Sequence, residues 1–533
     1  MHQESQQRSI ALVNITIERS LVIMKDQGKI KGKNLFHHST INVAYLQVRL
    51  ELVLLMSLVL LALVFVNEYL HPLKRVIRKR GLFVSSILVS GLFTTLITRL
   101  SPLAPILTVT PNMSIISITM FQWFLYICVV SLKKSFTLGE MCVISQAAAV
   151  VVYGALEYIY TAYNPDNLPS YLLYSDISPS MVLIHALVVG MILIGILTYP
   201  LLRQSRRLAQ RPFWRRPSSS TSTNPFFQNP RLVIAILFYL LTGFIVFFVI
   251  APICRNVTGE NPFMWTLDFL YTSPSRMFLC LYWSLTVITT VVIWVLVLDF
   301  VPPSSQPEQP FFTPTNSAEG KYLTSSLNKK RKLFHALAVI MFVPGILFEL
   351  SFLRLAFGVA FSAFIYLEYL RYYAVWPWGK NLHVFLTEFI DNRDLGPVIL
   401  SHIYLLLGCA SPVWLGSTNV LANLSGVLSL GFGDAAASLV GKRFGRYRWP
   451  GTKKTVEGTA SFIVAVFVSS VIIVYSAALI GVDDATRFIA SAGPSGWLSY
   501  LFVVSLTGLL EAFSTQNDNI IIPLFIYSLI VQC

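Results

Sequence analysis

A chain of 533 residues that is 55% hydrophobic and only 12% charged, with a mean hydropathy of +0.66, carries about half the charge of a soluble globular protein. That excludes a soluble enzyme and defines an integral membrane protein. The net charge of +15 would suit nucleic acid, but the basic residues gather in short stretches between apolar runs, the pattern of membrane topology, so no nucleic-acid partner is expected.

Residues 1–48 form an N-terminal segment. Its apolar stretch from Ile10 to Ile17 is short and is followed by charged residues, so no signal peptide is indicated and the first crossing serves as the targeting signal. Apolar runs then lie near 49–67, 81–98, 113–131, 141–160, 180–202, 232–252, 277–301, 333–350, 352–370, 398–415, 418–440, 459–481, 497–512 and 520–532. At ~20 residues per crossing they predict an all-α polytopic membrane protein with about 14 transmembrane helices. A multi-span N-terminal region (49–301) precedes a Pro/Ser/Thr-rich linker (302–328) and a C-terminal catalytic membrane region (329–533); residues 211–231 read as a second irregular stretch. The run at 418–440 is rich in Gly, Ala and Ser, which let helix backbones approach closely, so it belongs among other helices. Cys128, Cys142, Cys254, Cys280, Cys409 and Cys533 are far apart and form no metal-ligand pattern, so they read as free thiols.

Basic loops set the orientation. Lys74 to Arg80, Lys133 and Lys134, the seven arginines from Arg203 to Arg231, and Lys329 to Lys332 fall in every second loop, which the positive-inside rule assigns to the cytosol. The loop at 161–179 has no Lys or Arg, and the sequons at Asn14, Asn112 and Asn256 fall on the lumenal side. Residues 1–50 run against the scheme, being lumenal with seven Lys or Arg against three acids.

Ionisable groups at membrane depth cost about 2.5–3.5 kcal/mol each on insertion scales, so their clusters are candidate sites. Counting crossings from the Lys329–Lys332 loop brings four clusters of the C-terminal region to one face. The most informative is Gly431 to Thr459, GFGDAAASLVGKRFGRYRWPGTKKTVEGT. Asp434 lies in an otherwise apolar helix, followed by Gly441, Lys442, Arg443, Gly445, Arg446 and Arg448, then by Gly451, Thr452, Lys453, Lys454, Thr455, Glu457 and Gly458. Glycines among cations can expose backbone N–H groups to phosphate, Lys and Arg neutralise charge, and a lone carboxylate can hold Mg2+ or accept a proton. An ordinary positive-inside loop explains the cations but neither the glycines nor the buried acid. The segment is not a P-loop, because Gly441-Lys442 is followed by Arg443 and comes after a membrane helix where a Walker motif needs a strand.

Glu511, Asp518 and Asn519 bracket a polar turn that suits metal or ribose contacts, and a solvated loop does not explain Glu511 inside an apolar run. Arg331, Lys332 and His335 open a crossing, with Arg331 and His335 one turn apart; anchoring explains the first two equally well. Glu388, Asp391, Arg393 and Asp394, preceded by Glu368, form an acidic patch that serves either Mg2+ binding or a plain helix end at the membrane surface.

Four of these pieces, GDAAASLVGKRFG, WPGTKKTVEGT, RKLFHALAVIMFVPGI (331–346) and EAFSTQNDNIIIPL (511–524), resemble the polyprenol kinase family, most closely its dolichol kinases, over roughly residues 325–533. The resemblance implies a lipid kinase that moves the γ-phosphate of CTP to the terminal hydroxyl of dolichol, forming dolichyl phosphate for protein glycosylation. The endoplasmic reticulum membrane is the implied location, with the active site facing the cytosol. Asp434, Lys453, Lys454 and Asp518 are then the catalytic candidates. Gly441, Lys442, Arg443, Gly445, Arg446, Gly451, Thr452, Thr455, Glu457 and Gly458 are the nucleotide-binding candidates, within a CTP loop at 431–459. Arg331, Lys332, His335, Asp391, Asp394, Glu511 and Asn519 support them. The expected cofactor is Mg2+ or another divalent cation, on Asp434 and Asp518, and the expected partners are dolichol, CTP and the bilayer. A phosphatidate cytidylyltransferase-like enzyme shares a small-residue helix with an Asp and a later KKTxEG, and a transporter or scramblase would suit the many helices; GDAAAS and EAFSTQNDN favour the kinase.

Overall fold

In the computed structural model the described residues are 52–53, 55–60, 86–92, 94–95, 111–132, 135–164, 178–210, 230–293, 318–387, 397–452, 454–514 and 516–532. Among them every regular element is a helix, and the one β-type contact is an isolated antiparallel bridge between Arg448 and Thr455. Nine of these helices are long and apolar enough to cross a membrane, and three shorter apolar ones accompany them. They coincide with the predicted runs from 113–131 onward. The runs at 49–67 and 81–98 lie largely outside the described residues, although 55–60 and 86–92 are helical.

The chain divides into two compact units. The first comprises residues up to Met264 with 362–380 and 395–398, and the second comprises 265–361, 381–394 and 399–533. In the first, α1 (Pro111–Ser131), α2 (Leu138–Tyr163), α3 (Pro179–Ala209) and α4 (Pro230–Thr258) follow in order. α2 opens with a capping box, in which the Thr137 side chain accepts from the Glu140 N–H while the Glu140 carboxylate accepts from that of Thr137. This satisfies two of the amides that a helix start leaves without partners. α3 spans 31 residues, about 46 Å at 1.5 Å per residue, so it outruns a hydrocarbon core of ~30 Å. Its overhang carries Arg203, Arg206 and Arg207, and Arg206 stacks on the Tyr372 ring at 3.7 Å. Glu368 and Arg371 form a buried pair at 2.7 Å, and Arg371 also donates to the Pro397 carbonyl at 2.8 Å.

α5 (Pro262–Tyr271) and α6 (Pro274–Ile293) lead to α7 (Ala318–Phe348). α7 starts three turns before the linker composition is expected to end; the last proline of that stretch is Pro314, and only Gly320 after it disfavours a helix. α8 (Leu350–Tyr372) and α9 (Gly379–Thr387) follow, then α10 (Ser401–Leu415), α11 (Val420–Phe444), α12 (Val456–Ile480), α13 (Asp483–Phe513) and α14 (Asp518–Gln532). α13 is two helices joined across Gly493, whose φ of 53° precedes Pro494. The second of them is the predicted run at 497–512.

Prolines inside three of these helices decide how the second unit packs. A proline has no N–H for the carbonyl four residues earlier, and in a membrane that carbonyl has to find a partner within the protein. Pro344 in α7 releases the Ile340 carbonyl, to which the Tyr282 hydroxyl of α6 donates at 2.8 Å; beside it Trp283 Nε1 donates to the Met341 carbonyl at 2.7 Å. Pro412 in α10 releases the Gly408 carbonyl and Pro523 in α14 releases that of Asn519. Each of these last two oxygens faces a glycine. A Cβ on Gly426 of α11 would collide with the Gly408 carbonyl, and one on Gly408 would collide with that of Asn519. Three helices therefore meet backbone to backbone, in the geometry of Cα–H···O contacts.

Candidate active site

The site lies wholly within the second unit and is built on α11. Residues 428–434 of this helix form a π-helical segment ending at Asp434, the kind of local widening that recurs at functional positions. Flanking glycines let neighbours close in on it: a Cβ at Gly431 would strike Val339 of α7, and one at Gly433 would meet the Phe462 ring of α12. His335 lies one turn before Val339, so the same close approach delivers its imidazole to the carboxylate, with Nδ1 3.4 Å from Asp434 Oδ2. His335 is buried, whereas the Asp434 side chain is 30% exposed. Arg331 and Lys332 lie on the same helix, but their side chains fall outside the described residues.

α11 and α12 are joined by a hairpin. At its tip Trp449-Pro450-Gly451-Thr452 makes a type II turn: the Thr452 N–H donates to the Trp449 carbonyl at 3.2 Å, proline holds the second position, and Gly451 takes φ +74° in the third, where a Cβ is disfavoured. The two sides pair through Trp449 N–H to Lys454 O at 3.1 Å and Val456 N–H to Tyr447 O at 2.9 Å. Thr455 caps α12, its hydroxyl accepting from the Gly458 N–H at 3.2 Å. Glu457 accepts from the N–H groups of Arg446 and Tyr447 at 2.9 and 3.1 Å. Trp449, which sequence reasoning did not single out, fastens the tip by donating from Nε1 to Thr459 at 3.0 Å and packing on Phe513.

These contacts change what several predicted residues do. Gly441 and Gly458 face each other, a Cβ on Gly458 falling 3.5 Å from the Gly441 Cα, and a Cβ on Gly445 would strike Thr455. At Gly441 and Gly458 two backbones come close, Gly445 packs on the Thr455 side chain, and Gly451 suits the turn. Thr452, Thr455 and Glu457 are likewise committed to hairpin hydrogen bonds. Lys442, Arg443, Arg446 and Arg448 remain as exposed cations around this frame. Lys453 lies outside the described residues, as do Glu388, Asp391, Arg393 and Asp394.

Lys454 turns away from solvent. Its Nζ is 2.6 Å from Glu511 Oε1, 2.5 Å from the Glu511 carbonyl and 3.1 Å from Asp518 Oδ2. Burial opposes its charge, but Asp518 and Glu511 outweigh that and hold the ammonium above the ordinary lysine value, so it stays charged at any working pH. The contact joins the hairpin to the end of α13 and the start of α14, where Asn519 also stands. Both Asp518 and Asp434 lie within electrostatic reach of Glu511. Three of the four predicted clusters thus come together, and the fourth lies outside the described residues.

No three His, Cys, Asp or Glu side chains among the described residues converge as a ready cation cage. The donor set fits a divalent cation carried in by a polyphosphate, which takes one or two carboxylates and completes its shell with phosphate and water oxygens. Asp434 is the most exposed of the three carboxylates and is the first to offer such an oxygen.

Known proteins resemble this chain along much of its length. The profile of the family described as dolichol kinase matches residues 219–413, so the likeness begins well before the motifs at 325–533. Dolichol kinase from Homo sapiens is 32% identical over 412 residues, 75% of this chain and 66% of that protein. Dolichol kinase EVAN from Arabidopsis thaliana is 38% identical over 277 residues, 51% of this chain and 43% of the relative. Dolichol kinase sec59 from Schizosaccharomyces pombe is 34% identical over 305 residues, 55% of each. The chain therefore spans from under half to about two thirds of these relatives' lengths. No solved structure matches it.

Proposed function

The chain belongs to the dolichol kinase family, and we propose that it is a CTP-dependent kinase that phosphorylates the terminal hydroxyl of dolichol in the endoplasmic reticulum membrane, on the cytosolic side, supplying dolichyl phosphate for glycosylation. The observation that carries this reading is the convergence of Asp434 with His335, and of Lys454 with Glu511 and Asp518, beneath a rim of exposed Lys and Arg at the end of a helix bundle. A long isoprenoid stays in the bilayer, so its hydroxyl is met at the interface. A triphosphate comes from water and needs fixed cations.

In the transfer, the lipid oxygen forms its bond to the γ-phosphorus as the bond from that phosphorus to the departing CDP breaks. Positioning and electrostatics dominate such reactions. The exposed Lys442, Arg443, Arg446 and Arg448 hold the phosphates. Asp434, partly exposed and oriented by His335, faces the reacting groups and accepts the hydroxyl proton. A Mg2+ ion held by Asp434 and the donor phosphates would supply further charge neutralisation.

The donor is tested in proteoliposomes given dolichol and, in turn, CTP, ATP, GTP and UTP. Dolichyl phosphate is expected with CTP at a rate at least tenfold above the others. Equal rates with all four would remove the cytidine assignment, and no product with any would remove the kinase.

A further inference from the structure

We propose that Arg206 and Arg231 form a binding site for the phosphate of an anionic phospholipid at the membrane surface of the first unit. Both belong to a strongly charged stretch: from Arg203 to Arg231 the chain holds seven arginines and no Asp or Glu. Positive-inside anchoring accounts for cations that stand free in water. Arg203 and Arg207 do so, being exposed on the overhang of α3. Arg206 and Arg231 are half-buried instead, and both are drawn against the turn that follows α8. The Arg206 guanidinium sits over the Tyr372 ring at 3.7 Å, and Arg231 Nη2 donates at 3.2 Å to the carbonyl of Ala374, two residues further on. Ser205 donates to the same carbonyl at 3.4 Å, and Tyr239 of α4 donates to that of Trp376 at 3.2 Å. The turn therefore fixes the end of α3 and the start of α4.

What the turn does not supply is negative charge. Among the described residues neither arginine is paired with a carboxylate, and Glu368, the acid one turn before Tyr372, pairs with Arg371. Arg206 Nη1 and Arg231 Nε are covered and lack an acceptor, a costly state for a donor. A guanidinium has five N–H donors. Arg231 gives one of them to the protein and Arg206 gives none, so their outward edges are left for the oxygens of a ligand. Two planar forks held on one turn match a phosphate, whose several oxygens accept from both. A lipid is the source, because the site stands where α3 outruns the hydrocarbon, beside Trp376 and Trp378, exposed residues of the type that marks the interface. The leaflet on the side of the basic loops is also the one rich in anionic headgroups.

The test uses the full chain in phosphatidylcholine nanodiscs, with or without about a fifth of phosphatidylinositol as the anionic lipid. Melting is read in the discs, and native mass spectrometry after transfer to detergent counts the lipids that stay bound. Wild type should retain phosphatidylinositol about tenfold over phosphatidylcholine and gain Tm from it. Arg206→Gln combined with Arg231→Gln should abolish the preference and the gain. Arg203→Gln combined with Arg207→Gln removes the same charge from the same surface and should leave both nearly unchanged. Equal losses from the two pairs would mean diffuse attraction to the bilayer and would overturn the site, as would a wild type with no preference. Should the first pair fail to fold, Arg206→Lys combined with Arg231→Lys decides. It keeps both charges but loses the forks and the stacking, so the preference should fall about threefold or more, and full retention would overturn the site. Inorganic phosphate added to phosphatidylcholine discs should leave Tm unchanged; a rise equal to that with phosphatidylinositol would overturn the lipid assignment.

Discussion

Asp434→Asn is expected to lower kcat by about 10²-fold or more, the scale for losing a general base or a charge that acts in the transition state, with the KM for CTP and the amount of folded protein nearly unchanged. The substitution keeps the volume and removes the charge. Asp434 is the most exposed of the three carboxylates, and it sits at the end of a π-helical segment that His335 and Phe462 hold in place. Were its duty only to pair with His335, loss would appear as a lower Tm and poor yield, because a buried partner would be left without its counter-charge. Steady-state kinetics and melting on the same preparation separate the two. A folded Asp434→Asn protein with near wild-type turnover would take Asp434 out of the chemistry.

Gly408→Ala, within α10, is expected to damage the fold itself. The new methyl would fall on the Asn519 carbonyl and on Leu430. Overpacking commonly costs about 1–3 kcal/mol, and the upper end applies here because the main obstacle is backbone. The Asn519 carbonyl cannot retreat into its own helix, since Pro523 provides no N–H to receive it. Displacing the start of α14 also moves Asp518 away from Lys454. Purified Gly408→Ala should melt well below wild type and lose activity in proportion to the folded fraction. A variant with unchanged Tm would show that α10 and α14 do not meet at this contact.

Much of this architecture is legible in the sequence because bilayer thickness is a one-dimensional constraint: a run of about 20 apolar residues signals a crossing whatever it packs against. Asp434 and Glu511 are equally legible as candidates, since an ionisable residue in an apolar run is costly enough to need a reason, whereas His335 and Asp518 stand at the ends of their runs. The roles of the glycines are not legible. Gly441 and Gly445 look like a phosphate cradle when read beside Lys442 and Arg446, and only the arrival of Gly458 and Thr455 across the hairpin shows that they are also points of close packing. The partners of Lys454 are hidden for the same reason, because its acceptors lie 57 and 64 residues further along the chain. Glu457 likewise resembles a site acid until the amides of Arg446 and Tyr447 are seen to claim it. The proline-released carbonyls could have been anticipated at Pro344, Pro412 and Pro523, but Tyr282, Trp283 and the facing glycines are identified only by how the helices pack.

Whether this site moves a γ-phosphoryl group from CTP to dolichol is read by labelling the two ends of the nucleotide separately. The purified full chain is given dolichol, Mg2+ and CTP labelled on either the α- or the γ-phosphorus, with Asp434→Asn protein run in parallel. Label from the γ position should enter the lipid, label from the α position should stay in CDP, and the variant should transfer at least 10²-fold less. Label from the α position entering the lipid would mean transfer of a cytidylyl group, and no label in the lipid from either position would mean that this protein handles the lipid without phosphorylating it.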